Sequence, residues 1–162
     1  MFRIFLILSL LMLAACDDFP KDAEATLQKA EDRQTLRIGI IEHRPWAYRT
    51  DSGFAGLEVE IASDFAKSLG LSPDWQYLPE ARAFEKLEQF QLDLVIGGLA
   101  TDNPRGKHVG MTRPYLELGD RKKDQHVMAT PPGENRLITS LEKFLKRQAP
   151  DIHERYAEEL QK

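Results

Sequence analysis

Apolar and polar residues follow one another in a pattern that switches several times between the two-residue period of strands and the period of helices. Apolar residues run almost continuously through 36–41 and 92–96, as in strands that are buried on both faces. Between these runs apolar residues recur every three or four positions, and Gly70 is suited to end the first of the two helices. The predicted order is strand 36–41, helix 57–69, strand 73–78, helix 80–90 and strand 92–96.

Two crossover connections of this kind predict an α/β fold, with a mostly parallel open sheet and helices on both faces. Segment 42–53, with Pro45 and Gly53, is predicted to be a turn. A long helix is predicted to begin near Glu134, and Pro150 is expected to break it before a short final helix that carries Ile152, Tyr156 and Leu160. The apolar stripe of the long helix consists of Leu137, Ile138, Leu141, Phe144 and Leu145.

The N-terminus has the pattern of a bacterial lipoprotein signal. Residues 1–15 combine a positive charge at Arg3 with an apolar run that is too short for a membrane-spanning helix. The run ends in Leu-Ala-Ala-Cys, which resembles a lipobox, and Cys16 is the only cysteine in the chain. We therefore expect acylation of Cys16, including palmitate, which would anchor the protein to a membrane. The alternative is a plain secretory signal followed by an incidental cysteine.

Asp17 follows the cysteine directly and resembles the signal that retains lipoproteins at the inner membrane, which favours a periplasmic location on that membrane.

Charge and length narrow the possible partners and the number of domains. The formal net charge is −4 and the basic residues are dispersed, so we expect no nucleic-acid partner. Without residues 1–15 the chain has 147 residues, enough for one domain but not for two. Residues 16–34 are polar and predict a tether or a short amphipathic helix that is not strongly packed.

Two loops at the carboxyl ends of the predicted strands are the candidate ligand site, because open α/β sheets bind ligands there. The first loop contains His43 and Trp46, whose ring could form a flat apolar wall, although packing is the more common use of a tryptophan. In the second loop Asp102 or Asn103 could cap a helix that starts at Pro104, and Arg105 adds donors suited to a carboxylate.

Residues 36–115 contain a series of short motifs in a fixed order, namely Leu36-Arg37-Ile38-Gly39, Pro45-Trp46, Gly56-Leu57-Glu58-Val59-Glu60-Ile61-Ala62, Leu69-Gly70, Leu92-Asp93-Leu94-Val95-Ile96-Gly97-Gly98, Pro104-Arg105 and Pro114-Tyr115. Together these motifs resemble the first lobe of bacterial periplasmic solute-binding proteins of family 3, the polar amino-acid type.

The resemblance implies ligand-binding roles. Trp46 would lie against the ligand side chain, Gly98, Leu99 and Ala100 would meet its carboxylate, and Arg105 would pair with that carboxylate. The chain departs from the family pattern at Ala100, where a Ser or Thr hydroxyl is common. Only Glu42 is a possible substitute for the acidic residue that often holds a ligand's amino group, so an α-amino acid ligand is not assured.

The resemblance also implies that this chain lacks the second lobe of the family. Its members leave the first lobe, build a second and return as a strand and a helix, and residues 126–162 resemble that return. Only residues 119–125 separate this return from the first-lobe core at 35–118. We therefore expect a single lobe over 35–162 with a short linker in place of the second, although 119–125 could also be a plain loop in an unrelated α/β domain.

Three functions compete. The first is the membrane-anchored substrate-binding component of an ABC-type uptake system, which binds a small carboxylate or amino-acid-like solute weakly on an open surface and needs a permease or a second copy to enclose it. The second is a regulatory module that binds a protein or a peptide. An enzyme is the poorest candidate, although the fold also hosts dehydratases and adjoins lytic transglycosylase domains. The four histidines lack metal-type spacing, the single cysteine belongs to the lipobox and no serine lies in a nucleophile elbow, so we expect no metal, cofactor or catalytic residue.

Overall fold

The computed structural model describes residues 22–161. The predicted signal peptide at 1–15, Cys16 and Asp17 lie outside the described residues. The strands are β1 (Thr35–Ile40), β2 (Tyr48–Thr50), β3 (Gly53–Ala55), β4 (Ser72–Tyr77), β5 (Leu94–Ala100), β6 (Gly110–Met111), β7 (Leu116–Glu117) and β8 (Gln125–Thr130). The helices are α1 (Thr26–Arg33), α2 (Leu57–Ser68), α3 (Glu80–Glu88) and α4 (Asn135–Glu159), and short 3₁₀ turns occupy Pro104–His108 and Lys122–Asp124.

One mixed sheet forms the centre of the molecule, in the order β4-β1-β5-β8-β6, with β7 also paired to β8. Strands β4, β1 and β5 are mutually parallel, whereas β8 runs antiparallel to β5 and to its short partners β6 and β7. The starts of β1, β4 and β5 define the amino edge of the sheet, and their ends define the carboxyl edge. Because β8 is antiparallel, it starts at the carboxyl edge and ends at the amino edge.

Helices cover both faces of the sheet, as predicted. On one face α1, α2 and α4 pack on Leu36, Ile38 and Ile40 of β1 and on Met128 of β8. On the other face Ala83, Phe84 and Leu87 of α3 pack on residues of β5 and β8. Each face buries a separate set of apolar residues, which explains why β5 is apolar at nearly every position.

The segment between β7 and β8 lies where the short linker was expected in place of a second lobe. Leu116 pairs with His126 and Glu117 with Gln125, so the chain leaves and re-enters the sheet as neighbouring antiparallel strands. Residues between them close the connection, and the amide of Leu118 donates to the carbonyl of Asp124 at 2.9 Å. The chain therefore turns back directly at the position of 119–125.

Two predictions about helices are wrong. Helix α4 continues through Pro150 instead of ending there, because Phe144 before the proline and Ile152 after it are buried in the same core. Pro150 itself is exposed and only removes one backbone donor. The short helix that was one alternative for 16–34 is present as α1, but the expectation that it would pack weakly is wrong, because Thr26, Leu27 and Ala30 are buried.

Segment 42–53 is also more ordered than a turn. It contains β2, which forms a two-stranded hairpin with β3, pairing Tyr48 with Ala55. None of the helices within residues 22–161 is long and apolar enough to cross a membrane.

Candidate functional site

An open cavity of about 580 Å³ lies at the carboxyl edge, between the loop after β1 and the end of β5. We call this cavity the shelf. Of the residues predicted to bind ligand, His43, Gly98, Leu99 and Ala100 line it. The shelf also exposes three carboxylates, which belong to Glu42, Glu80 and Asp102. It therefore combines main chain, one imidazole and a strongly acidic wall.

Arg105 stands at the rim of the shelf. Its side chain is 48% exposed, and its Nε lies 3.8 Å from Glu80 Oε1. The side-chain oxygen of Asn103 accepts the backbone N–H of Arg105 at 2.9 Å, so Asn103 is the capping residue and Pro104 opens the turn. The turn is a five-residue 3₁₀ helix, so it lacks the aligned peptide dipoles of a longer α-helix. The positive charge of this rim comes from the Arg105 guanidinium.

Trp46 does not offer a wall to the shelf in this structure. Its side chain is only 3% exposed, because it is enclosed by aromatic rings. The Tyr156 ring from α4 stacks on it with centroids 5.2 Å apart, and the His126 ring from β8 lies at 3.8 Å. Trp46 also packs under Gly98, where an added Cβ would lie 2.3 Å from the indole. Trp46 thus supports the floor of the shelf from within.

The backbone amides expected to bind a carboxylate already have one. Glu58 Oε2 accepts the N–H groups of Gly97 at 2.5 Å and Gly98 at 2.9 Å. The Tyr115 hydroxyl donates to the other oxygen of the same carboxylate. These two amides are therefore not available to a ligand, which corrects the expectation for Gly98.

Burial dominates the electrostatics of this carboxylate. It raises the pKa of Glu58, and the hydrogen bonds from Tyr115, Gly98 and Gly97 and the charge of His43 only partly oppose that shift. Burial and the Glu58 charge together raise the pKa of Tyr115, which keeps its hydroxyl protonated as a donor. The pair holds the β5 loop against the start of α2.

His126 and His43 are a second pair of titratable residues near the shelf, besides Glu58 and Tyr115. Burial, followed by the charge of His43, lowers the pKa of His126, while Asp124 acts in the opposite direction. His126 Nδ1 is buried without a hydrogen-bond partner among the described residues. His43 Nδ1 lies 3.3 Å from the carbonyl oxygen of Gly97. A charge on His126 would therefore be poorly compensated.

The structural role of Glu58 and the acidic wall formed by Glu80 and Asp102 were not predicted from the sequence. The role of Glu58 had a signal: it lies four and seven residues before Ala62 and Phe65, which puts it on the buried face of α2. Glu80 and Asp102 had none, because they are far apart in sequence and meet only through the crossover fold.

The profile of bacterial extracellular solute-binding proteins, family 3, matches residues 36–159, from the first strand nearly to the end of α4. The chain belongs to this family. Within the family it is a single mixed α/β domain of the periplasmic-binding-protein type, as the resemblance implied.

Curated relatives of this family 3 protein include binding proteins and an enzyme. Over 98 residues it is 29% identical to the L-cystine-binding protein TcyJ of Escherichia coli K12, covering 59% of this chain and 37% of TcyJ. Over 96 residues it is 34% identical to membrane-bound lytic murein transglycosylase F 1 of Alkalilimnicola ehrlichii, covering 59% of this chain and 19% of that protein. The chain thus spans a little more than a third of the first relative and just under a fifth of the second.

Solved structures show the same fold. The arginine-bound domain 1 of TmArgBP superposes with a TM-score of 0.67 at 20% identity, covering 74% of this family 3 chain and 97% of the domain. An ancestral amino acid-binding protein, AncCDT-1, described as a precursor of cyclohexadienyl dehydratase, gives a TM-score of 0.71 at 15% identity over 83% of this chain and 99% of that chain.

Proposed function

We propose that the protein is the membrane-anchored, periplasmic substrate-binding component of an ABC-type uptake system, and that it binds an amino-acid-like solute on the shelf. The observation that carries the proposal is the pairing of opposite charges on one open surface. Arg105 lies at the rim, and Glu42, Glu80 and Asp102 line the cavity beside it. A zwitterion carries the matching pair of charges.

In this proposal the ligand carboxylate meets Arg105 and the ligand ammonium group meets the acidic wall. Arg105 is held only at 3.8 Å by Glu80, so its planar donors can turn to a ligand carboxylate. His43, Leu99 and Ala100 contribute the shelf surface, while Gly98 and Trp46 act by shaping its floor. A ligand with a carboxylate and no positive group is disfavoured, since the nearby protein carboxylates repel it.

Similarity to other proteins supports the ligand class. The L-cystine-binding relative is named for an amino acid, and the superposed domain 1 of TmArgBP is described as bound to arginine. That second case is a single domain, which supports ligand binding by one lobe.

The test is a thermal-shift and NMR titration of the form that begins at Asp17, with L-arginine as the first probe. We expect binding that Arg105→Ala weakens about tenfold or more, since a charged hydrogen bond contributes about 1.5–3 kcal/mol. Arg113→Ala is the matched control, because Arg113 is 88% exposed and does not line the shelf. Equal effects of the two substitutions would remove Arg105 from the site.

Derivatives of the probe separate the two charges. N-acetyl-arginine loses the α-ammonium group and argininamide loses the carboxylate. We expect both to bind more weakly than arginine, and Asp102→Asn to reduce the difference between arginine and its N-acetyl form. A probe that binds equally well without its ammonium group contradicts the role of the acidic wall.

A second candidate function is a regulatory module that binds a protein or a peptide end. The openness of the shelf favours it, because a chain terminus or a side chain on a protein surface can enter where no second wall stands. Capture from a periplasmic extract on the immobilised protein separates the two functions. A partner that is lost in Arg105→Ala but kept in Arg113→Ala supports the module, and a free amino acid that competes for the same surface supports the solute-binding role.

A further inference from the structure

The first described residues, from Asp22 onward, are tied firmly to the amino edge of the sheet. Glu134, which is buried just before α4, accepts the backbone N–H of Glu24 at 2.6 Å and of Thr26 at 2.7 Å. In return Asp22 Oδ1 accepts the backbone N–H of Arg136 at 2.7 Å. Each segment thus satisfies free donors at the start of the other's helix.

The other end of α1 is fixed to the same edge. Arg33 forms an ion pair with the fully buried Asp93, and Arg37 binds the other carboxylate oxygen of Asp93 at 2.8 Å. The carbonyl oxygen of Gln34 accepts the N–H of Ser72 at the start of β4. Since β8 ends and β1, β4 and β5 start at this edge, α1 lies along it from end to end.

The chain between this attachment and the proposed lipid anchor is short. Only residues 17–21 separate Cys16 from Asp22. Fully extended, the six Cα–Cα steps from Cys16 to Asp22 reach about 20 Å. A domain of this size has a radius of gyration of about 14 Å, which corresponds to roughly 37 Å across. The tether is therefore shorter than the molecule is wide, and it holds Asp22 within about 20 Å of the anchored end of the chain.

From these contacts we propose that the amino edge, formed by α1 and the start of α4, faces the bilayer, and that the shelf opens away from the membrane. The inference rests on the proposed acylation of Cys16. Six residues of β1 put roughly 20 Å of sheet between the two edges. The exposed charges of α1 are mixed, with Lys29 paired to Glu24, so the short anchor and not charge attraction to the lipid sets the orientation.

The orientation restricts what can complete the shelf. A membrane-embedded surface in the same bilayer lies on the wrong side of the molecule. A partner must instead rise at least about 20 Å above the lipid, as the soluble domain of a membrane protein or a free periplasmic protein does. If a permease receives the ligand, it must do so through a part that projects from the membrane.

The experiment uses the full acylated chain in vesicles of phosphatidylethanolamine and phosphatidylglycerol that contain a headgroup-linked energy acceptor. One variant carries Gln28→Cys, an exposed position on α1, and the other carries Lys107→Cys, an exposed position in the turn beside the shelf. Each new cysteine is labelled with the same donor, since acylated Cys16 does not react. We expect several-fold stronger energy transfer from position 28 than from position 107.

A lengthened tether provides the control. Insertion of twenty Gly and Ser residues between Asp18 and Phe19 gives a linker whose r.m.s. span is about 25 Å and whose extended reach exceeds the width of the domain. The difference between the two labels should then shrink. Equal transfer from both labels with the native tether overturns the orientation and leaves the anchoring intact. A chain that does not float with vesicles, or that incorporates no labelled palmitate, overturns the anchoring and the orientation together.

Discussion

Glu58 is a carboxylate that the protein encloses completely and surrounds with donors. It links the amides of Gly97 and Gly98 to the hydroxyl of Tyr115. Three donors make the buried charge tolerable, but burial still raises the pKa of Glu58. The floor of the shelf therefore depends on an ionisable group that is itself fully buried.

The raised pKa gives a pH dependence with a defined sign. Glu58 contributes stability that is fully present below the unfolded-state pKa, about 4.5, and that is lost as the pH rises through the higher folded-state pKa. We expect the unfolding free energy of the wild type to fall relative to that of Glu58→Gln as the pH rises from about 4 to about 7.5. Urea unfolding measures it, with the exposed Glu88→Gln as control. A constant difference across this interval contradicts the assignment.

His126 has the opposite behaviour. Its pKa is lowered in the folded state, so its contribution is present above the unfolded value of about 6.5 and is lost as the pH falls through the folded value. The imidazolium would lie 3.8 Å from the Trp46 ring with His43 nearby and only Asp124 in compensation.

We expect the wild type to lose thermal stability from about pH 7.5 to about pH 5 more steeply than His126→Gln. Trp46 fluorescence in a Trp75→Phe background should change over the same pH range as the stability. The exposed His153→Gln is the control and should retain the wild-type slope. Parallel profiles for the wild type and His126→Gln would rule out this residue as the source of acid sensitivity.

At the scale of elements, packing keeps α4 helical beyond Pro150, although a proline inside a helix is unfavourable. Pro150 removes a helical hydrogen bond in an exposed position, while buried Ile152 and the Tyr156 ring fix the turns beyond it. The second part of the helix therefore exists because it covers Trp46. Its own propensity would end it at the proline.

Replacement of this proline tests that balance. Pro150→Ala restores the backbone donor at an exposed site and should raise the free energy of unfolding by about 1–3 kcal/mol. Chemical denaturation measures the gain, and Lys143→Ala, at another exposed position of α4, should change it by less than about 0.5 kcal/mol. A loss of stability in Pro150→Ala would mean that the bend at Pro150 is needed to place Tyr156 on Trp46.

Elements with a strong local pattern were predictable from the sequence, and those fixed by distant partners were not. The period of β1, α2 and α3 is visible within a short window, so their positions were predicted correctly. The sequence of α1 is polar, and the helix is held in place by the carboxylates of Glu134 and Asp93, which are both distant in the sequence. At the site, the loops were found because strand ends converge, but the cover over Trp46 depends on a residue 110 positions away.

At the scale of the whole molecule, the single lobe leaves the shelf in contact with water. Good ligand sites enclose most of the ligand surface, and this one covers a single side. The charges on the rim are exposed to solvent and Arg105 is already partly paired with Glu80, so the ion pairs do not make up for the missing enclosure.

We therefore expect an isolated monomer to bind its solute with a free energy of about 4–5 kcal/mol, a Kd nearer millimolar than micromolar. Calorimetry or NMR titration of the monomer measures it, with Arg105→Ala as the site control. Enclosure by a partner should lower the Kd. A sub-micromolar Kd for the monomer alone would contradict the open geometry.

The position of β8 has a consequence for how the molecule folds. This strand is the last in the described chain, yet it lies inside the sheet, between β5 on one side and β6 and β7 on the other. Before β8 is in place, β6 and β7 have no strand to pair with and one edge of β5 is unpaired. The amide of Thr26 in α1 also lacks its acceptor Glu134, which lies 108 residues away in the sequence. The domain therefore closes late and nearly all at once, which favours slow, cooperative folding over stepwise assembly from the N-terminus.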